Sequence, residues 1–343
     1  TVKEMLAAIL SRQGDTLATE GNLNNDIGVP LTLCRLQDES FAVVELGANH
    51  PGEIGYLSRM TRPDVAVLNN AGRAHLEGFG TVEGVARAKA EIIEGLAADG
   101  VFVYNADDPY SPLWRELASG RRTLGFGTRS PADISSPRDS LHLCWNDQGF
   151  HSEFEVQTPQ GMLQVSLALT GEHNRMNALA AIAAARALGV TDEAIVQGLA
   201  QVRPMAGRLS PRATSSGVRV VDDSYNGNPD SVRMAVEVLC QAPGRKLLVL
   251  GDLGELGESS VRLHGELGAY ACSRGVDLML TCGRFSQAAA DAFGDAARHF
   301  DSHQALLEAL DDLLQPGDTV LVKGSRAAGM EKVVAALCGE GES

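Results

Sequence analysis

In the stretch GVARAKAEIIEGL, residues 84–96, an amine stands where a helix should be apolar. Val85, Lys89, Ile92 and Leu96 follow one another at intervals of four, three and four, so they share one face of a 3.6-residue helix. An isolated lysine there would pack its methylene stem and lift its ammonium to water at the helix edge. Its neighbours argue for more. Glu45 closes the apolar run FAVVEL, Asn69 and Asn70 close DVAVLNN, and His75 lies in the loop AGRAHLEGFG that leads into the Lys89 helix. Ligands of open parallel sheets collect beyond the carboxyl ends of the strands, so a carboxylate, an imidazole and a lysine are expected to converge on one sheet edge. Taken singly, Glu45 would serve as a turn cap and His75 as a loop histidine satisfied by backbone. Jointly they suit a magnesium ion, which takes oxygen ligands and keeps part of its water shell. An ammonium would repel that ion. A buried lysine, however, gives up its proton readily, and a neutral amine can add carbon dioxide to become a carbamate, an oxygen ligand.

The elements that must hold these groups read as alternating strands and helices. Val2, Met5, Leu6, Ile9 and Leu10 have helical spacing from the first residues, with no capping sequence ahead of them, which leads us to expect a further segment upstream. A short strand near Thr16–Thr19 follows, then a polar loop and a helix led by Pro30, a residue suited to a first turn. FAVVEL and DVAVLNN read as neighbouring buried parallel strands with a helix near 51–60 between them, and Thr81 should cap the Lys89 helix. From about Gly120 to Leu169 the texture turns polar and alternating, which predicts a small antiparallel subsheet beside the main sheet. The Ala-rich helix NRMNALAAIAAARALG comes next. Beyond VRPMAGRLSP, strands VRVVDD, KLLVLGD, DLMLTC, ARHF and DTVLVKG alternate with helices, the pattern of a doubly wound parallel sheet. We therefore expect an α/β chain of two domains: a central ATPase-like domain over 1–208, truncated at its start, and a Rossmann-like domain over 209–343. HFDSH spaces His299 and His303 like a metal pair, but Ser302 should break strand from helix between them.

The balance of 29 basic against 44 acidic residues, a net charge of −15, argues against a nucleic-acid or anionic-membrane partner, since both need clustered Lys and Arg. No apolar run reaches the roughly 20 residues of a membrane span. The six cysteines show no C-x-x-C pair and read as reduced thiols, which points to the cytoplasm; a monomer is expected.

The motifs GNLNNDIGVPLTL, ELGANHPGEI, NNAGRAHLEGFG, GEHNRMNALAA, DDSYNGNPDS, GDLGELG and LVKGSR occur in order along almost the whole chain, and together they resemble the Mur ligases, ATP-dependent amide-forming enzymes of cell-wall precursor synthesis. The likeness is greatest to the members that join D-alanyl-D-alanine to a UDP-N-acetylmuramoyl-tripeptide. The resemblance implies an ATPase-type central domain, ATP and Mg²⁺ as cofactors, Glu45 and His75 as magnesium ligands and Lys89 as a carbamylated third. It further implies His173, Asn174 and Asn177 on the adenine side, where the plain reading is a helix cap and polar first turn. Arg208 resembles an arginine that reaches the terminal phosphate, a role suited to a planar fork of donors; its plain reading is a hinge salt bridge. Asp223 resembles the ribose-side carboxylate. Asn25, Tyr225, Asn226, Lys323, Ser325 and Arg326 fall in motifs expected to bind substrate, the last three near the dipeptide carboxylate. Asn228 and Pro229 suit the start of a helix.

The sequence departs from the family in one respect: G-x-x-x-x-G-K-[ST] occurs nowhere in it. The chain by itself is therefore expected not to turn over. Three other readings compete: a sister ligase adding one amino acid, or glutamates to folate; a nucleotide-binding fragment without catalysis; and a dinucleotide-dependent oxidoreductase, which the absence of G-x-G-x-x-G after a strand disfavours.

Overall fold

A computed structural model of the chain describes residues 1–72, 79–146, 149–204, 206–254 and 256–339. Contacts divide it into two compact units: 1–142, 152–168 and 172–202 form one, and 143–151, 169–171 and 203–343 the other.

The first unit is built on parallel strands Val65–Leu68, Val101–Asn105 and Arg122–Gly127, joined in that order. Phe102 and Tyr104 alternate with Val103, so one face of the strand packs with Ala66, Leu68, Ala86, Ala90 and Trp114 in an apolar cluster. The Ala-rich helix Glu172–Ala187 packs on the same strands, and its residues Ala178–Ala185 are fully buried. Helix Asp192–Gln201, capped by Thr191, lies on helix Val2–Leu10. A Cβ at Gly198 would stand 2.4 Å from the Ile9 Cα, so only glycine allows that approach.

Two expectations for this unit change. The region after Gly120 is an extension of the main sheet: Arg122–Gly127 and Ile134–Ser135 run parallel, and only then do the antiparallel strands Gly149–Thr158 and Gly161–Leu167 begin. FAVVEL yields only the strand Phe41–Val43, paired with Thr16–Ala18 in a separate two-stranded sheet. Beyond Val43 the backbone donors turn from the ladder to a side-chain hydroxyl and a loop carbonyl. The Glu45 N–H donates to Thr19 Oγ1 at 3.0 Å, and the Gly47 N–H to the Asn24 carbonyl at 2.8 Å.

In the second unit, strands Arg219–Asp223, Thr319–Lys323, Lys246–Gly251, Leu278–Cys282 and Ala297–Phe300 stand side by side in that order, all parallel, with Ser210–Ala213 antiparallel on the edge. Their apolar runs are continuous because both faces are covered. Leu248 and Leu250 enter one cluster with Val232, Val236 and Leu267, while Leu247 and Val249 enter another with Leu306, Leu310 and Val333. The last strand in the sequence thus lies between the first and second of the parallel set, which brings Asp223 and Lys323 into register.

Candidate active site

Lys89 does stand at a strand tip. Thr81 Oγ1 accepts from the Gly84 N–H and starts helix Val82–Ala90, which buries Val85, Ala86, Ala88 and Ala90 and gives way to a 3₁₀ turn at Glu91. Lys89, half-buried on this helix, donates from Nζ to the Asn70 carbonyl at 2.8 Å, just past strand Val65–Leu68. Burial pushes its ammonium below the ordinary lysine range, and the Asp108 carboxylate pulls part of the way back. Asp108 is itself fixed by the N–H groups of Ala71 and Tyr110 at 3.0 and 2.9 Å.

Glu45 leaves the strand Phe41–Val43 with Oε1 accepting from the Asn24 amide at 2.8 Å. No hydrogen bond or ion pair among the described residues joins it to Lys89, and His75 lies outside the described residues. Asn25 is used locally: its Oδ1 accepts from Ile27 and Gly28 N–H and starts helix Gly28–Leu33. Asn69, Asn177 and Asn174 form an amide chain, Asn69 Nδ2 donating to Asn177 Oδ1 at 2.9 Å and Asn177 Nδ2 to Asn174 Oδ1 at 3.3 Å. His173 is half-buried in the first turn of that helix.

In the second unit, Lys323 is 1% exposed and donates to Asp223 Oδ2 at 2.6 Å and to the Asn226 carbonyl at 3.0 Å. Its ammonium faces two internal partners, the Asp223 carboxylate and the Asn226 carbonyl. Burial raises the Asp223 carboxyl above the ordinary range, with Lys323 opposing. Asp223 Oδ1 accepts from the Leu209 N–H at 3.0 Å. Of the candidate residues in this unit, Arg208, Tyr225, Asn226 and Arg326 are exposed. Ser325 is buried, its N–H and Oγ both donating to the Asp252 carbonyl at 2.9 and 2.7 Å. Asn228 and Ser231 make a capping box with Pro229 in the first turn, as expected.

Three organising residues escaped sequence reasoning. The Asp252 carboxylate accepts from the N–H groups of Arg284, Phe285 and Ser286 at 2.8–2.9 Å. Its place after the apolar run KLLVLG was a usable signal. Asp107, just past strand Val101–Asn105, does the same for Thr128, Arg129 and Ser130 beyond the adjacent strand Arg122–Gly127. His264 is fully buried; its Nδ1 faces the Ser260 carbonyl at 2.7 Å and its Nε2 accepts from the Leu253 N–H at 3.0 Å, which sets the tautomer. Nothing in the sequence marks it.

The fold and these strand-tip groups define the class. Residues 1–185 match the Mur ligase middle domain and residues 207–326 the Mur ligase, glutamate ligase domain. The chain belongs to the Mur ligase family. Among its relatives, the UDP-N-acetylmuramoyl-tripeptide–D-alanyl-D-alanine ligase of Escherichia coli is 45% identical over 340 residues, 98% of this chain and 74% of that protein. A crystal structure of MurF from Acinetobacter baumannii superposes with a TM-score of 0.89 at 41% identity, covering 99% of this chain and 74% of that one. MurF ligase from Thermotoga maritima in complex with ADP gives 0.81 at 30% identity over 99% of this chain and 77% of that one.

Proposed function

We propose that this chain is the catalytic portion of an ATP-dependent amide ligase that joins D-alanyl-D-alanine to a UDP-N-acetylmuramoyl-tripeptide for peptidoglycan precursor synthesis, in the cytoplasm. The observation that carries the reading is 45% identity sustained over 98% of the chain to an enzyme of that name. ATP use draws support from the ADP complex of the Thermotoga relative. No helix among the described residues is long and apolar enough to cross a membrane.

A carboxylate resists attack by an amine because it is anionic and lacks a leaving group. Transfer of the γ-phosphoryl group of ATP to the tripeptide's terminal carboxylate gives an acyl phosphate; the dipeptide amine then forms the C–N bond as the C–O bond to phosphate breaks. The first step needs positioning and charge neutralisation above all. Magnesium would supply part of that neutralisation, held by Glu45, His75 and a carbamylated Lys89. Their chemistry fits: the Asn24 amide orients the Glu45 carboxylate, and burial favours the neutral amine that carbon dioxide requires. His173, Asn174 and Asn177 receive the adenine, Asp223 the ribose, and Arg208 the terminal phosphate. Arg326 receives the dipeptide carboxylate, joined by Ser325 when its hydroxyl turns from the Asp252 carbonyl to the ligand, and Tyr225 and Asn226 line the same exposed end of the sheet; Asn25 is assigned to the acceptor side. Lys323 serves these groups from inside through Asp223 and Asn226.

The test is phosphate release from ATP by a polypeptide that includes a Gly-Lys-Thr loop ahead of this chain. Release should require both the UDP-muramoyl tripeptide and D-alanyl-D-alanine, and the chain without such a loop should release none. Equal release with a single amino acid or with a folate acceptor would replace this reading by a sister ligase.

A further inference from the structure

Tyr225 is 45% exposed, yet its ring is occupied. The Arg208 guanidinium carbon lies 4.8 Å from the ring centroid and that of Arg326 lies 5.6 Å from it. Two cations gathered at one ring repel each other, and the negative face of the ring is the attraction that offsets this. The backbones beneath all three are fixed. The Tyr225 N–H donates to the Gly207 carbonyl at 2.9 Å, and the Gly207 N–H donates to Asp222 Oδ2 at 3.2 Å. Gly207 has φ +73°, and a Cβ there would stand 2.9 Å from the Tyr225 nitrogen, so the position admits only glycine. Leu209 accepts a left-handed φ of 46°, unusual for a branched side chain, while its N–H reaches Asp223. Arg208 is therefore held between two residues tied to the strand end that carries Tyr225. Arg326 is held through Ser325, whose N–H and hydroxyl both reach the Asp252 carbonyl.

We propose that Tyr225 is a positioning residue that gathers Arg208 and Arg326 around its ring, so that one exposed aromatic side chain sets the cations for both anions of the reaction, the terminal phosphate and the dipeptide carboxylate. This rests on the ligase reading given above. The ring does the work, and the hydroxyl is dispensable.

Two measurements test it. In the chain itself, the Arg208 and Arg326 side-chain NMR resonances should carry ring-current shifts that persist in Tyr225→Phe and vanish in Tyr225→Leu; this readout needs no turnover and stands even if the substrates are others. Unshifted resonances in the unaltered chain would overturn the proposal. In a turnover-competent polypeptide, Tyr225→Leu should raise KM for ATP and for D-alanyl-D-alanine together, each by about 2- to 5-fold, the scale of exposed cation–π contacts. Tyr225→Phe should stay within about twofold. Combined with Arg208→Ala and Arg326→Ala, Tyr225→Leu should add almost nothing. A Phe variant as impaired as Leu would transfer the role to the hydroxyl and overturn the proposal, as would an undiminished Leu effect in the absence of both arginines. Absence of D-alanyl-D-alanine ligation in the unaltered enzyme would instead refute the functional reading, leaving the NMR result to decide the clamp.

Discussion

Lys323 and Asp223 end adjacent parallel strands in register and close an ion pair of 2.6 Å, with side-chain exposures of only 2% and 11%. An internal pair of this kind braces the ends of its strands, because the same carboxylate holds Leu209 and the same ammonium holds Asn226. Removing one partner leaves the other buried and uncompensated. Lys323→Met should therefore destabilise the chain by about 3–5 kcal/mol in denaturant melts, and Lys323→Met with Asp223→Asn by much less. The single variant should also regain stability in acid. A carboxyl with a raised folded-state pKa is best tolerated below its unfolded value, and that advantage is lost as pH rises through the folded one. Equal losses in the single and double variants would mean the pair is not what matters.

The register behind that pair was not readable from sequence. DDSYNGNPDS and LVKGSR are a hundred residues apart, and the reading gave Asp223 and Lys323 to two different ligands. Only the strand order, with the last strand inserted beside the first, makes them partners. The parallel strands themselves were legible because burial on both faces makes runs such as KLLVLG apolar throughout. Ser210–Ala213 was not: it carries Pro211 and few apolar side chains, as an edge strand can. FAVVEL was overextended for the opposite reason, since its apolar run outlasts its ladder and Thr19 and Asn24 take over beyond Val43. Lys89 was legible because an amine on an apolar stripe breaks the helical pattern, whereas nothing so conspicuous marks His264.

Lys89 gives a test linked to pH. Its folded pKa lies below the unfolded value, so the folded chain binds fewer protons between the two, and stability rises with pH across that window. The burial penalty is complete below the folded pKa and gone above the unfolded one. Lys89→Met should therefore be more stable than the unaltered chain near neutral pH in carbonate-free buffer, with the gap closing as the solution is made alkaline. Adding carbon-13 bicarbonate should give the unaltered chain a carbamate NMR signal that grows with pH. The same signal in Lys89→Met would assign the carbamate to another amine.

Asp107 has the opposite sign. Burial alone would raise its carboxyl, but the N–H groups of Thr128, Ser130 and Arg129 outweigh it and hold the group below the ordinary range. Its contribution is present above the unfolded pKa of about 3.9 and is lost as pH falls through the folded value. Asp107→Ala should cost about 1–2 kcal/mol at neutral pH, because half-buried donors lose their acceptor, and the deficit should shrink in acid. A deficit that is constant with pH would point to packing instead of charge.

Asp252 separates holding a loop from holding a substrate. Its carboxylate satisfies the N–H groups of Arg284, Phe285 and Ser286, while its carbonyl, which no side-chain substitution removes, keeps Ser325 in place. Asp252→Ala should thus lower stability by about 2–3 kcal/mol through orphaned donors and leave KM for D-alanyl-D-alanine nearly unchanged. Ser325→Ala removes one hydrogen bond, worth about 1 kcal/mol of stability, yet it deletes the hydroxyl assigned to the dipeptide carboxylate and should raise that KM severalfold. Paired melts and kinetics of the two variants give opposite rankings if the assignment holds. If Asp252→Ala raises KM while Ser325→Ala leaves it alone, the dipeptide is held from the 283–286 loop and Ser325 is merely a brace.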